Sequence, residues 1–458
     1  LISSGDTLAM VAKLDGTVAL AYRSRAVSPR LFARSIAIVV VFALLPLRYL
    51  GWLLTREEVP SRDDREDEQG RLLADALETL GATYVKLGQI LGSRPDLLPP
   101  GWVHGLARLQ DRVRAVSIAA IEGVLAKAWT SEQRAMVVSL DPSPLAAASV
   151  AQVHLAHLTT GEEIVLKVQR PDAREQIERD LLLMRLFARV VDRIPTVHLL
   201  SLPGAIDRFG DALAQQLDFD RERANNLRFT ANFARVRGVK FPTIVDALCG
   251  PTVLAMHRAP GVKATELDRV GGDRHELAER GGRAILKMVF EDGFVHADLH
   301  PGNIFLAEDG TMTMLDLGLA AEIPEDMRRP WLDTFSALAA RDGRKCAELF
   351  YGYAPTVGTS DYAAYERDVM EYLTRLYGAR LADVEVSAVV SGMMNVLRQH
   401  RVQIDPVFTV VNVALLVAEG LGKQLDPSVD LVLLAVPFLL AAQLSSPPGR
   451  PPRRAIPR

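Results

Sequence analysis

The chain has 458 residues, of which 49% are hydrophobic and 24% charged, enough for two or three domains with substantial cores and too polar to be membrane-inserted throughout. A formal net charge of -3 supplies no concentrated basic face, so nucleic acid is not an expected partner. Two cysteines far apart, Cys249 and Cys346, lack metal-ligand spacing and are expected to be reduced, buried thiols of a cytoplasmic protein.

The first segment is organised around one apolar stretch, unbroken from Ile36 to Leu47 and continued by Tyr49 to Leu54, with Pro46 and Arg48 inside it. A bilayer span needs about 20 such residues. Flanking Arg23, Arg25, Arg30 and Arg34, with Tyr49 and Trp52, suit an interfacial or short hairpin anchor; a buried core helix is the competing reading. The charged run Arg62 to Glu68 reads as a solvated linker. From Arg71 to Leu91, apolar Leu72, Leu73, Ala76, Leu77, Leu80, Val85 and Leu87 recur at helical intervals, which predicts one helix ending before Arg94-Pro95. Lys86 and Gln89, three apart, project from one side of it. Gly88 costs about 1 kcal/mol relative to alanine in a helix, so its presence points to close packing there.

Asp141-Pro142-Ser143-Pro144 opens the next region. Gln152 to Leu158 and Glu163 to Gln169, joined through Thr159-Thr160-Gly161-Glu162, read as a hairpin. Lys167 sits on its second strand, in an apolar run where a solvated lysine is not expected. Arg174 to Val191 has the periodicity of a packed helix. Farther on, Asp218 and Glu222 are four apart and share a helix face. Thr252 to Met256 is strand-like, and a helix from Leu277 to Phe290 leads to the most informative stretch.

That stretch is His296-Ala297-Asp298-Leu299-His300-Pro301-Gly302-Asn303, followed by Asp316-Leu317-Gly318. A phosphoryl-transfer site on the protein-kinase plan needs an aspartate facing the attacking oxygen, an asparagine five positions later on one magnesium, and an aspartate before a glycine on the other. Ile304 to Leu306 and Met312 to Leu315 flank the turn Glu308-Asp309-Gly310, a hairpin that holds Asn303 and Asp316 side by side. Each short motif alone is commonly a loop or a cap; their joint spacing, with Lys167 upstream, selects the functional reading. The same plan asks for a helix-borne glutamate to hold the strand lysine, for which Glu222 is the candidate, a surface charge being the alternative. No activation segment and no A-P-E follow Gly318, and Ala297 stands where phosphorylation-switched kinases have arginine, both against regulated protein phosphorylation. Trp331 to Phe350, Tyr362 to Tyr377, Val386 to Arg398 and Phe408 to Ala418 read as packed helices. The run Leu431 to Ala442 contains Pro437 and is too short for a bilayer span, and Pro447 to Arg454 reads as a flexible basic tail, so strong C-terminal anchoring is not expected.

Three motifs in order, Lys86-Leu87-Gly88-Gln89, Val165-Leu166-Lys167-Val168-Gln169-Arg170-Pro171 and His296 to Asn303, with Gly420 to Pro427 near the end, resemble the UbiB (AarF/ADCK) family of atypical, protein-kinase-like proteins. The resemblance covers about Arg71 to Pro427. It implies an α+β fold, a two-lobed protein-kinase-like core with an N-terminal helical extension and a C-terminal helical region. The expected division is 1–60 for the segment with the membrane-contacting helix, 61–140 for the extension, 141–260 and 261–345 for the two lobes, 346–446 for the C-terminal helices and 447–458 for the tail.

The resemblance also implies roles for residues. Lys86 and Gln89 belong to a lid across the active site, with Asp218 as a carboxylate within reach of Lys86; Gln216 stands where the family usually has glutamate. Ala146, Ala147, Ala148 and Ser149 replace the glycine-rich phosphate loop, and alanines restrict the backbone more than glycines do. Met256 lies in the hinge segment, Phe241 to Gly261, against the adenine. ATP (or ADP) and Mg2+ are the implied cofactors, with Asp298, Lys167 and Glu222 catalytic and Asn303 and Asp316 on the metal. The implied function is a slow ATPase supporting isoprenoid-quinone biosynthesis of the ubiquinone type, peripheral at the inner membrane, with isoprenoid or quinone-like lipids and quinone-biosynthesis enzymes as partners. A kinase acting on a small molecule or protein, and a nucleotide-binding scaffold without turnover, are the other readings. The full set of catalytic positions disfavours the scaffold, and the missing peptide platform disfavours protein substrates.

Overall fold

In the computed structural model, the structure describes residues 29–56, 59–92, 98–109, 115–148, 150–192, 202–266, 269, 272–376, 386–445 and 451–456. The first helix among the described residues, α1 (Pro29–Leu54), is apolar almost all round. Phe32, Val39, Leu47 and Leu54 are each more than 60% exposed, which overturns the core-helix reading of this stretch. By length and composition α1 could cross a membrane. It meets the body along one edge, where Ile38 and Val41 pack against the neighbouring core and Arg34 donates to both oxygens of buried Asp180 at 2.7 and 2.9 Å. Arg23 and Arg25 lie outside the described residues.

The expected linker at Arg62 to Glu68 is instead the start of α2 (Arg62–Leu80), closed by a capping box between Ser61 and Asp64. Its charges pair at helical spacing, Arg62 with Glu66 at 2.9 Å and Arg71 with Asp75 at 3.0 Å and with Glu68, so opposite signs stabilise the helix rather than solvate a coil. The single helix expected from Arg71 to Leu91 is broken at Gly81, whose φ of 89° is open to glycine and strained for most other residues. After it come α3 (Ala82–Gly92) and α4 (Pro100–Leu106). The packing expected at Gly88 is present: a Cβ there would lie 2.2 Å from Leu109 and 2.7 Å from Leu77.

Helices α5 (Ile118–Ala128) and α6 (Ser131–Ala135) lead into the N-terminal sheet, whose first strand begins slightly before Asp141. Strands β1 (Val137–Ala147), β2 (Ala151–Leu158) and β3 (Glu163–Gln169) are successive antiparallel neighbours. On β3 the alternation of a strand sends Ile164, Leu166 and Val168 into a core with Ile121 and Leu125 of α5, and Lys167 to the opposite face. Helices α7 (Ala173–Val191) and α8 (Leu202–Gln216) share a second core with α3. Next comes α9 (Phe219–Asn232), which begins in that core at Phe219 and ends in a third one at Phe229.

After β4 (Val239–Lys240), strand β5 (Val253–His257) completes the N-terminal sheet in the order β1-β2-β3-β5. Strand β6 (Val262–Lys263) and α10 (Arg274–Lys287) follow, α10 giving way at Met288–Asp292 to a π turn where the sequence predicts more α-helix. Four short strands carry the catalytic stretch: β7 (Phe294–His296), β8 (Ile304–Leu306), β9 (Met312–Met314) and β10 (Ala320–Glu322). β8 and β9 form the expected hairpin, and β10 returns to pair with β7.

Among the described residues six helices follow: α11 (Glu325–Ala339), α12 (Gly343–Tyr353), α13 (Tyr362–Leu376), α14 (Val386–Gln399), α15 (Pro406–Leu425) and α16 (Leu431–Ser445). The single helix expected from Trp331 to Phe350 is two, divided at Arg341 (φ 62°) and restarted by Asp342 as N-cap. One core runs from Ile285 and Met314 through Trp331 and Phe350 to Tyr365, Leu397 and Leu421, so packing does not break at residue 345. The flexible-tail reading fails for residues 451–456. Arg453 N and the Arg454 guanidinium donate to Gly352 O and Pro355 O at 2.8 and 3.0 Å, closing the carbonyls at the end of α12, and Arg453 reaches Asp405 at 3.3 Å. Cys346 is buried as expected and Cys249 only half-buried; both are free thiols.

Candidate active site

Lys167 reaches into the cleft from β3 and meets two carboxylates. Its Nζ donates to Glu222 Oε1 and Oε2 at 2.9 and 2.8 Å and to Asp316 Oδ1 at 2.6 Å, over the Phe219 ring at 5.6 Å. Burial opposes the lysine's charge, and the two carboxylates outweigh it and raise its pKa. On Glu222 burial pushes the carboxyl up against the pull of Lys167. The Asp316 side chain is 46% exposed toward the cleft. Enclosure there works to raise its pKa, but Lys167, with Lys86 and His296 behind it, holds it well below the usual carboxylate range. The three groups thus form a single charge cluster joining β3, α9 and the turn after β9.

The Asp316 turn is itself held from several sides. Asp316 has φ 55°, a left-handed conformation costing an L residue about 1–2 kcal/mol, which aspartate tolerates better than most. His296, fully buried, accepts from Asp298 N–H at Nδ1 (3.2 Å), so its proton is on Nε2 and is donated to Leu315 O at 3.0 Å; burial lowers its pKa and keeps it neutral. Leu315 N–H donates to Asn303 O at 2.7 Å, and Asn225 Nδ2 on α9 donates to Leu317 O at 2.8 Å. At Gly318 an added Cβ would lie 3.2 Å from Glu222 Oε2, so a residue without a side chain lets the glutamate close on Lys167.

From the extension, α3 delivers Lys86, 7% exposed, whose Nζ donates to Asp298 Oδ2 at 3.0 Å. Lys86 therefore pairs with Asp298, while Asp218, its expected neighbour, caps α9 by accepting from Arg221 N–H at 3.1 Å. Gln89 faces away from this pair, its amide donating to Leu109 O at 3.4 Å. Ala146 and Ala147 end β1 opposite Val153 and Gln152. Ala148 N–H closes the turn on Ala151 O at 2.9 Å, and Ala148 O accepts from Arg170 at 3.4 Å. Ser149 lies outside the described residues. Met256 stands on β5 opposite Val165, bridged on its other side by Ile244.

Asn225 is absent from the residues that sequence reasoning singled out, and His296 was there only as part of a motif. A signal existed for the first: Asn225-Asn226 lies mid-helix, where asparagine is a poor helix former that competes for backbone groups, so two together imply side-chain bonds outside the helix. Asn226 makes the second, to Pro242 O at 3.0 Å.

Among the described residues no group of three or more His, Cys, Asp or Glu could hold a metal ion. A cation here would rest on Asp316, Asn303 and ligand oxygens. Asn303 donates its amide nitrogen to Asp298 O at 3.3 Å, which reserves its amide oxygen for a cation. One carboxylate and one amide oxygen are hard donors of the kind Mg2+ takes alongside phosphates, so the residues fit that ion.

Residues 108–350 match the family model of the ABC1 atypical kinase-like domain, and residues 369–430 that of the UbiB helical domain. Among curated relatives, a protein of Azotobacter vinelandii named "Probable protein kinase UbiB" is 36% identical over 413 residues, 86% of this chain and 75% of its own. A Tolumonas auensis protein of the same name is 33% identical over 402 residues, 86% of this chain and 72% of its own. A solved structure of Rv3197 with erythromycin, from Mycobacterium tuberculosis, superposes with a TM-score of 0.50 at 20% identity, covering 79% of this chain and 96% of that one, a likeness of fold.

Proposed function

Because the chain belongs to the UbiB family of atypical kinase-like proteins, we propose that its cleft binds ATP with Mg2+ and hydrolyses it slowly, in support of ubiquinone-type quinone biosynthesis at a membrane surface. The observation that carries this reading is the cluster of Lys167 with Glu222 and Asp316, at 2.6 to 2.9 Å, closed by Lys86 on Asp298. Such a lysine is poised to hold α- and β-phosphate oxygens, with Glu222 fixing its direction. Bound Mg2+ would sit on Asp316 and Asn303 and neutralise charge on the phosphates.

Asp298 receives a proton from the attacking oxygen in this reading. In the present arrangement its carboxylate is engaged by Lys86, which supports slow turnover with the lid in place. The acceptor is water or a small molecule rather than a protein, since β10 and α11 follow Gly318 at once and leave no activation segment to seat a peptide. The exposed apolar surface of α1 supports the membrane part of the proposal.

Purified protein with radiolabelled ATP, assayed for free phosphate and for transferred label with and without vesicles, tests the proposal. Asp298→Asn should leave ATP affinity nearly unchanged and lower phosphate release by roughly 100-fold, the effect of losing a positioned base. Label appearing in a small molecule instead of free phosphate would make this a kinase. Nucleotide binding without either product would make it a scaffold.

A further inference from the structure

The helix that supplies Glu222 also grips the opposite lobe. One turn after Glu222, Asn225 donates to Leu317 O at 2.8 Å, and the next residue, Asn226, donates to Pro242 O at 3.0 Å. One turn farther, Arg228 pairs with Glu322 of β10 at 2.9 Å and lies over the Phe294 ring at 4.0 Å, while Phe229 is buried against Phe241 and Phe294. Successive turns of α9 thus bind β3, the Asp316 turn, the connection between the lobes and the C-terminal sheet.

We propose that Asn225 is the positioning residue of the Asp316 turn, fixing from α9 the left-handed backbone that presents the Asp316 carboxylate to Lys167 and to a bound cation. Leu317 is the residue between Asp316 and Gly318, so a bond to its carbonyl fixes the Leu317–Gly318 peptide plane, one residue beyond Asp316. A left-handed non-glycine residue persists where its surroundings over-determine it. His296 holds Leu315 O on one side of Asp316, Asn225 holds Leu317 O on the other, and the Leu317 side chain is buried. The carboxylate is thereby aimed before any nucleotide arrives. The cation half of this proposal rests on the Mg-ATP reading above; the backbone half does not.

The test uses the full chain with Asn225→Asp, which keeps the shape and removes the donor, and Asn225→Ala should the acid fail to fold. Asn226→Ala is the comparison, because it deletes a bond of the same kind from the same helix that does not touch the turn. In nucleotide-free protein, amide hydrogen exchange across residues 312–322 should speed up roughly tenfold in the Asn225 variants and stay at the wild-type rate in Asn226→Ala. With ATP present, the Mg2+ concentration giving half the thermal shift should rise about tenfold in the Asn225 variants alone. Exchange equal to wild type, or loosened equally by Asn226→Ala, overturns the positioning role. If the wild type shows no Mg-dependent shift with ATP, the Mg-ATP reading falls, and the exchange result still decides the role of Asn225.

Discussion

Lys86 is a cation brought to an aspartate that the proposed chemistry needs for itself. The Nζ to Oδ2 distance is 3.0 Å, the lysine is nearly buried and the Asp298 side chain 37% exposed, so the pairing acts at reduced dielectric, where a unit charge counts for more than at the surface. Lys86→Ala should therefore change the reaction outcome more than stability. We expect phosphate incorporation into the protein itself, read by intact mass after incubation with ATP, and a shifted preference between ATP and ADP. A variant matching wild type in both assays would remove the lid from the chemistry. The spacing of Asp298, Asn303 and Asp316 and the strand position of Lys167 were legible in the sequence, because the first is a local pattern and the second follows from period-two alternation. That Lys86 pairs with Asp298 was not. The two are 212 positions apart, and the direction in which α3 presents its side chains is set by packing against α2, α4 and α7.

At the scale of elements, Gly88 is where α3 meets its neighbours. Gly88→Ala would drive a methyl into Leu109 and Leu77 and should destabilise the protein by about 1–3 kcal/mol, the range for overpacking, despite alanine's better helix propensity. Chemical denaturation measures it, and a gain in stability would mean that α3 is free to shift. A second junction is pH-dependent. His275 near the start of α10 lies 2.6 Å from Asp426, just past the end of α15. The hydrogen bond that His275 donates to Asp426 raises the His275 pKa from about 6.5, while Ser428 and His275 lower that of Asp426. A raised histidine pKa contributes stability that is full below the unfolded value and lost as pH rises through the folded one. A depressed aspartate contributes above its own unfolded value, near 3.9. The difference in melting temperature between wild type and His275→Ala should therefore be largest between about pH 5 and 6.5 and shrink on either side. A pH-independent difference would reduce the pair to packing. Helix periodicity made most of these elements readable, and α2 was the failure. Its opening run looks like solvated charge until Ser61 and Asp64 are seen as reciprocal caps, and the pairing of Arg62 with Glu66 depends on phase rather than composition.

For the molecule as a whole, α1 is the surface on which the proposed membrane contact rests. Val39 and Leu47 are 65% and 63% exposed, so Val39→Glu with Leu47→Glu should leave the fold intact. Each substitution forfeits about 1.5 kcal/mol of apolar burial in a lipid interface. Binding to vesicles containing anionic phospholipid should then weaken by roughly 100-fold. Co-sedimentation measures this, and undiminished binding would point to another surface. The lobes, the extension and the C-terminal helices were readable from motif order, whereas the exposure of α1 was not, since a core helix and a surface helix can share one composition. A last consequence concerns how the protein comes apart. With Phe219 in one core and Phe229 in another, α9 is structural property of neither lobe. Losing the N-terminal core would unmoor the start of the helix and strip buried contacts from the other core at its end. The two lobes should therefore melt as one cooperative unit rather than as separate foldons. Partial unfolding should begin at elements such as α1 that touch the body along a single edge.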